Sequence, residues 1–515
     1  MKPVSILIFA LVSSLHSLNA ASWEDPAPPK FNELAEQAAA EPQSFDRFTF
    51  HAAPKPLSKE AKTAQWPRFL GPSDDAHSTE THLLHEWPKD GPAKVWEVKK
   101  GEGYTSPAIV GDFLVLFHAQ AGKETIECLH PETGKRYWSH EYPITYRDRY
   151  GYANGPRGSP VIADGRVITV GVTSMMTCFD LKTGRIAWQR DLKKEFNVPQ
   201  DFFGHGGSPL ILDGHVIVNV GGKAEPLPDE GDMQARAEAL KKPGLCVGAF
   251  DLKTGKLVWG VKYDWGASYA SPIAAKLHGQ TKVLVFAGGE SNPATGGLMC
   301  IDPKDGTLHE RFDWRASDYI SATASTPTLI PDKNRVFIST AYPKGRPLGG
   351  VMLEFDANFK AKEVWRTKKL ATHWMTPVYQ DGHLYGIDGE LQQSAQLVCF
   401  DADKGDEKWR KDITWDEMSL APMNNGVPPK MGIQRASLLQ VDGKYLVLSE
   451  LGTLLWMSLS PTDAKVESNA SLFFAPHTWC LPAVSRGLLY IMQNDEEQVH
   501  DKTGQRIICY DLRTP

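Results

Sequence analysis

The feature that most limits what this chain can fold into is a phrase it keeps repeating. Cys178-Phe179-Asp180-Leu181-Lys182-Thr183-Gly184 closes with Trp188, and Phe250-Asp251-Leu252-Lys253-Thr254-Gly255 closes with Trp259. Weaker copies run from Cys128 to Trp138, Cys300 to Gly306 and Cys399 to Trp409, and a last one, Cys509-Tyr510-Asp511-Leu512-Arg513-Thr514, lies just before Pro515. Recurrence at roughly fifty residues restricts the chain to a propeller or a solenoid, because no single unit of that size buries its apolar face alone.

A second phrase precedes each copy: Ser106-Pro107, Ser159-Pro160, Ser208-Pro209, Ser271-Pro272, Thr326-Pro327, Thr376-Pro377, Ser437-Leu438 and Leu481-Pro482. After it come an apolar run, a turn such as Asp164-Gly165 or Asp213-Gly214, and a β-branched run. Asp-Gly between such runs signals a hairpin, since glycine accepts the positive φ of a tight turn. The Asp-Leu-Lys-Thr-Gly phrase forms a second hairpin, in which the aspartate accepts bonds from turn N–H groups and the glycine takes the left-handed position. Two hairpins make a four-stranded antiparallel blade, and eight phrases predict an all-β, eight-bladed propeller. The eighth unit lacks its outer strand, while an orphan run with the right tryptophan, Ala93-Lys94-Val95-Trp96-Glu97-Val98, precedes the first. That N-terminal strand is expected to complete the last blade, which would leave the ring no long open edge.

The expected organisation is a signal peptide over 1–21, a flexible linker over 22–64, an N-terminal segment packed on the propeller over 65–92, and the propeller itself over 93–515. Met1-Lys2, the run Ile6 to Val12 and Asn19-Ala20-Ala21 have the layout of an export signal, so the location expected is periplasmic or secreted. Prolines at 26, 28, 29, 42, 54 and 56 mark the linker, with one short helix expected around Leu34. Trp66, Phe69, Leu83, Leu84 and Trp87 are too apolar for water and should pack. No further stretch approaches the apolar length of a membrane span. A net charge of -6 argues against nucleic acid as a partner. Cys128, Cys178, Cys300, Cys399 and Cys509 occupy one repeat position, and equivalent positions of neighbouring blades should exceed the roughly 7 Å Cα separation that a disulfide tolerates. They are read as small apolar fillers, and the absence of Cys-x-x-Cys-His excludes a c-type haem site.

The pattern Asp-x-x-Thr-Gly-x-x-x-Trp at Asp180 to Trp188 and Asp251 to Trp259 resembles the tryptophan-docking repeat of pyrroloquinoline-quinone (PQQ)-like propellers. Trp66-Pro67-Arg68-Phe69-Leu70-Gly71-Pro72 and Gly103-Tyr104-Thr105-Ser106-Pro107 are similar to segments of exported bacterial members. The resemblance implies a core role for Trp138, Trp188, Trp259, Trp365 and Trp409. It covers both quinoprotein dehydrogenases and non-enzymatic scaffolds similar to the BamB component of outer-membrane assembly, and fold does not choose between them. The alcohol-dehydrogenase branch carries two adjacent cysteines, and this sequence has no Cys-Cys pair. Blade four has Glu310 where the closing tryptophan belongs, and blade seven lacks the motif around Ser458 to Val466.

In such a meander the residues just before each Ser-Pro line one mouth of the central channel. Counting back from the proline places Tyr104, Arg157, His205, Tyr269, His373, Trp374, Arg435 and Trp479 there. Aromatic faces and guanidinium groups suit a planar anionic ligand such as PQQ; the same side chains could equally plug the channel. The connections carrying Glu290, Asn292, Lys344, Arg346, Asp388, Glu390 and Glu450, the stretch Tyr142 to Pro156, and an insert with a helical Met233 to Lys241 reach the same face, and one-sided decoration favours recognition. No metal motif and no catalytic constellation is present. The sequence therefore reads first as a non-catalytic exported scaffold binding a small molecule or a protein. The alternative is a dehydrogenase of a sugar or alcohol, which would require PQQ and calcium.

Overall fold

The computed structural model describes residues 25–514 apart from 89, 230, 290–294, 319–320, 344, 390–394 and 500–501. The expected export signal over 1–21, and Glu290, Asn292, Lys344 and Glu390, lie outside the described residues.

Local turn chemistry builds the repeat. Asp164 and Gly165 both adopt positive φ, 48° and 70°, as do Asp213 and Gly214, so the first two strands of a blade fold into a tight hairpin whose twist matches theirs. In the second hairpin Asp180 Oδ1 accepts from Thr183 N at 2.9 Å and from Thr183 Oγ1 at 2.7 Å, and Asp251 repeats this with Thr254. A register shift between Cys178 and Phe179 follows, and it recurs in most blades. In blade two the four strands, A to D from the axis outward, are Val161–Ala163, Arg166–Val170, Met175–Asp180 and Ile186–Asp191. Eight such sheets form the ring. The last contains Ala483–Ser485, Leu488–Gln493 and Arg506–Asp511, and Ala93–Lys99 pairs antiparallel to Arg506–Asp511 with Trp96 opposite Cys509. The N-terminal strand thus closes the ring as expected, and Phe48–Phe50 adds a fifth strand outside it.

Two sets of bonds hold blade to blade. Near the axis, the backbone N–H of Ser106 donates to Ser159 Oγ, Ser159 to Ser208, Ser208 to Ser271, Ser271 to Thr326 and Thr326 to Thr376, at 2.8–3.3 Å. This belt gives the Ser-Pro phrase its physical meaning: each hydroxyl satisfies a buried N–H of the preceding blade. Farther out, the indole N–H groups of Trp96, Trp138, Trp188, Trp259, Trp365 and Trp409 each donate to a carbonyl in the next blade's second hairpin, or in its equivalent, at 2.8–3.0 Å. A Cβ on Gly184 would stand 2.4 Å from the Trp138 ring, so the glycine of the phrase serves the neighbour's tryptophan as well as its own turn. Where Glu310 replaces tryptophan, its carboxylate accepts from Ala361 N of blade five at 3.1 Å.

Blade seven is repaired from the N-terminal segment. Trp456 donates to Leu84 O at 2.9 Å and packs against His85 and Trp87. The same segment fills one end of the axial channel, the end where the A-to-B turns lie. Trp66 bridges Ile109, Pro67 O accepts from Ile162 N, and His77–Ser78 lies parallel to Ser437–Val441, so innermost strands of three blades gain backbone partners. Glu80 is buried and accepts from the backbone N–H groups of Ala64, Arg486 and Gly487.

Residues 25–64 contain no helix, and the one expected around Leu34 is not formed. They run in extended form over the outer blades. Asp25 pairs with the fully buried Arg190, Asn32 N donates to Ala187 O, Gln43 bridges Arg136, and Lys55 N donates to Asp511. All seven cysteines are buried free thiols, and burial pushes those of Cys178, Cys246 and Cys300 up to about 12.

Candidate functional site

The other end of the channel is closed by side chains. The D-to-A connections bring Tyr104, Arg157, Tyr269, His373, Trp374, Arg435 and Trp479 to this mouth, all half-buried. Ring contacts join them into an arc. Tyr342 and His373 lie 5.6 Å apart, His373 and Trp374 4.8 Å, Trp374 and Trp479 5.0 Å, and Trp479 and Tyr104 4.9 Å. Tyr152 continues it from Trp479 at 5.3 Å to Phe203 at 6.0 Å, and Phe203 reaches Tyr269 at 5.6 Å. The expected ring is therefore a floor of half-buried aromatic groups in contact with one another. His205 is the residue the arc leaves out. It is buried, bonds Gly207 O at 3.1 Å, and its pKa falls to about 4 because burial disfavours the imidazolium.

Neither arginine presents an unpaired charge. Arg435 stacks over Trp374 and Trp479, 4.7 and 5.1 Å from the ring centres, while its guanidinium makes a two-pronged pair with Glu450, whose side chain is fully buried. Trp479 Nε1 donates to the same carboxylate at 2.7 Å. Arg157 lies against Tyr104, Tyr146 and Phe203, pairs with the fully buried Asp148 at 2.7 Å, and donates to Gly155 O and Ala153 O. Arg435 and Glu450 thus form a planar, two-pronged pair, whereas Arg157 holds Asp148 through Nη2 and spends its remaining contacts on backbone carbonyls.

The sequence reading missed part of this mouth. Phe203, Tyr342 and His477 complete the arc, and His477 Nδ1 lies 2.6 Å from Asp495 Oδ2. The His477 ring sits 4.7 Å from Trp479 and 5.2 Å from Tyr152, and its backbone is left-handed at φ 56°. The available signal was position: His477 is two residues before Trp479, and the D-to-A rule reaches it when extended by that much. Among the described residues, Trp374 Nε1 and Gln434 Oε1 at the mouth are buried and have no hydrogen-bond partner. Beneath, the buried Lys100 donates to Gly101 O, and burial lowers its pKa to about 8. Of the decorating loops, Asp388 is tied to Ala371 N and Arg410, and the insert folds as the helix Met233–Leu240 with Asp232 as its cap. Among the described residues, no three His, Cys, Asp or Glu side chains converge as a metal-holding group.

PQQ with calcium is a poor match to these residues. A polyanionic quinone needs cations to spare, and both mouth arginines are already neutralised by buried carboxylates.

The architecture and this mouth define a class: an eight-bladed propeller of PQQ-type repeats with one decorated, aromatic face. The family model described as "Outer membrane protein assembly factor BamB" matches residues 122–411, more than half of the chain, and the chain belongs to that family. Among curated proteins it is similar to the dehydrogenase subunit of a quinone alcohol dehydrogenase from Gluconobacter oxydans (strain 621H), 29% identical over 205 residues, which is 37% of this chain and 22% of that protein. It is also similar to a tetrathionate hydrolase from Acidithiobacillus ferrooxidans, 27% identical over 222 residues, covering 39% of this chain and 38% of the relative. The chain thus spans well under half the length of these curated relatives. Similar solved structures include BamB from Moraxella catarrhalis, with a TM-score of 0.48 at 12% identity over 82% of this chain and 99% of that one. A europium-containing methanol dehydrogenase has a TM-score of 0.45 at 11% identity over 87% and 98%. Among the described residues no helix is long and apolar enough to cross a membrane.

Proposed function

We propose that this protein is a non-catalytic binding propeller, exported to the periplasm or beyond, that holds a small molecule or a protein on its decorated face. One observation carries the reading: the half-exposed aromatic floor contains two arginines whose charges are spent on Asp148 and Glu450. That arrangement supplies rigid contact area without the spare charge that anion or redox-cofactor binding would draw on. The site residues are Tyr104, Arg157, Tyr269, His373, Trp374, Arg435 and Trp479, joined by Tyr152, Phe203 and His477. Membership of a family that includes assembly scaffolds supports the same reading.

Calorimetric titration with PQQ, with and without calcium, paired with a dye-linked oxidation assay on sugars and alcohols, tests it. Neither heat nor dye reduction is expected. Saturable, calcium-dependent heat accompanied by oxidation that Trp374→Ala or Arg157→Ala abolishes would establish the dehydrogenase instead.

A further inference from the structure

We propose that the decorated face carries a second site, beside the aromatic mouth, that takes a small organic anion with two or more acidic groups. The site goes beyond the reading of the mouth and does not depend on it.

Three elements far apart in sequence enclose an open cavity of about 410 Å³, within the roughly 300–1,000 Å³ of small-molecule pockets. The long connection between the first two blades supplies Arg149, the helix Leu192–Glu195 supplies Lys193, and the insert helix Met233–Leu240 supplies Arg236. The cavity adjoins the mouth, because Arg149 lies 5.6 Å over the Phe202 ring and Tyr150 packs on both Phe202 and Phe203.

Charge sets this cavity apart. Among the described residues no Asp or Glu lines it. Lys193 Nζ donates to the amide oxygen of Gln200 at 3.2 Å, and Arg236 Nη1 to the carbonyl of Pro228 at 3.0 Å. Both partners are neutral, and among the described residues neither cation enters an ion pair. Acids carried by the same elements are engaged elsewhere: Glu195 with Arg190, Glu225 with Lys242, and Asp232 as the helix cap. The mouth shows the reverse, since Arg157 and Arg435 each face a fully buried carboxylate. Cations gathered around a concave space repel one another, and an entering anion relieves that repulsion.

The frame holds these cations in place. Lys223 N donates to Phe196 O at 2.9 Å and Asn197 Nδ2 donates to Lys223 O at 3.3 Å, which joins the root of the insert to the loop that follows Lys193. The buried Lys223 ammonium then donates to Leu240 O and Asp264 O, fixing the far end of the helix that carries Arg236. The walls specify the rest of the ligand. Val198, Pro226 and Leu227 add apolar contact, so a bare inorganic ion would leave most of the space unfilled. Cations on separate sides call for more than one acidic group, and carboxylate and phosphate share the chemistry that arginine and lysine recognise.

Calorimetric titration of the purified protein with citrate, phosphoglycolate and glucose tests the site. At least one of the two anions is expected to give saturable heat, with affinity weakened about tenfold by Lys193→Gln and by Arg236→Gln, and glucose none. Lys276→Gln, which removes an exposed cation of blade four, should leave the affinity within about twofold. Should Arg236→Gln fail to fold by circular dichroism, Lys193→Gln decides alone, because that side chain is exposed. No heat from either anion overturns the site and leaves the reading of the mouth standing. Equal weakening by Lys276→Gln reduces the binding to general attraction and overturns it too. Binding lost in Trp374→Ala yet intact in Lys193→Gln and Arg236→Gln places the anion at the mouth, against both readings. Sedimentation with phosphatidylglycerol vesicles that Lys193→Gln abolishes, without heat from either soluble anion, replaces the small molecule with a membrane surface and overturns the proposal.

Discussion

The two ends of the axial channel are closed in different ways. At one, the backbone of residues 66–80 joins the innermost strands of three blades, and Trp66 is wholly excluded from solvent. At the other, no strand is added; rings from the D-to-A connections meet and stay half-exposed. Backbone pairing satisfies its own donors and acceptors and leaves nothing for a ligand. Side-chain closure leaves half-exposed ring faces on a rigid frame. The difference teaches where to look for function: the end sealed by main chain is structural, and the end floored by side chains is the one we propose as the binding face.

The largest effect should come from the sealed end. Trp66→Ala removes a fully buried indole and is expected to cost about 3–5 kcal/mol of stability, against about 1–2 kcal/mol for Trp374→Ala, which loses only part of that burial. Equal losses in chemical denaturation would mean that both ends are plugs of the same kind. Titration of Asp74 sharpens the contrast. It lies in the same sealed segment, paired with Arg68 at 2.5 Å, and burial raises its pKa to about 6. An acid whose folded pKa lies above its unfolded value of 3.8 favours folding below that value, and the contribution disappears as pH rises through about 6. Between pH 4 and 6 the wild type should therefore lose about 2 kcal/mol relative to Asp74→Asn, measured as the difference between their denaturation midpoints. A flat difference would show that the segment is wetter than its packing implies.

Ser208→Ala cuts the hydroxyl belt between the two ends, leaving one buried N–H unsatisfied, and is expected to cost about 1–2 kcal/mol. Substitution of Ser437, whose Oγ has no partner, should cost less; the reverse order would break the account of the Ser-Pro phrase. Smallest of all, Met423→Ser changes a residue 68% exposed on the decorated face, and stability should stay within about 0.5 kcal/mol.

The fold was legible because its rules are local and periodic. Asp164-Gly165 and Asp180 to Gly184 act through their own turns, and eight repetitions average out the degenerate blades. The closing strand was legible too, since Trp96 occupies the repeat position. The path of residues 25–64 was not. Their bonds at Asn32, Gln43 and Phe48–Phe50 are made by the main chain, which leaves no pattern in side-chain chemistry. At the mouth, counting back from proline gathered seven residues because strand register fixes that offset. It misplaced His205, whose glycine neighbours Gly204 and Gly206 let the loop turn the ring inward, with Gly206 tight against Tyr269. It also could not foresee that Asp148 and Glu450 would neutralise the arginines, because such pairs form between residues whose separation follows no period.

The sheet that closes the ring couples the earliest and latest parts of the chain during biogenesis. Ala93–Lys99 must wait for Arg506–Asp511, which emerges only after nearly all other blades have been synthesised. Contacts so distant in sequence form late, since a long loop must first be ordered around them. Until then the ring stays open between the first and eighth sheets. A truncation within the final ten residues should thus be far more harmful than its length suggests.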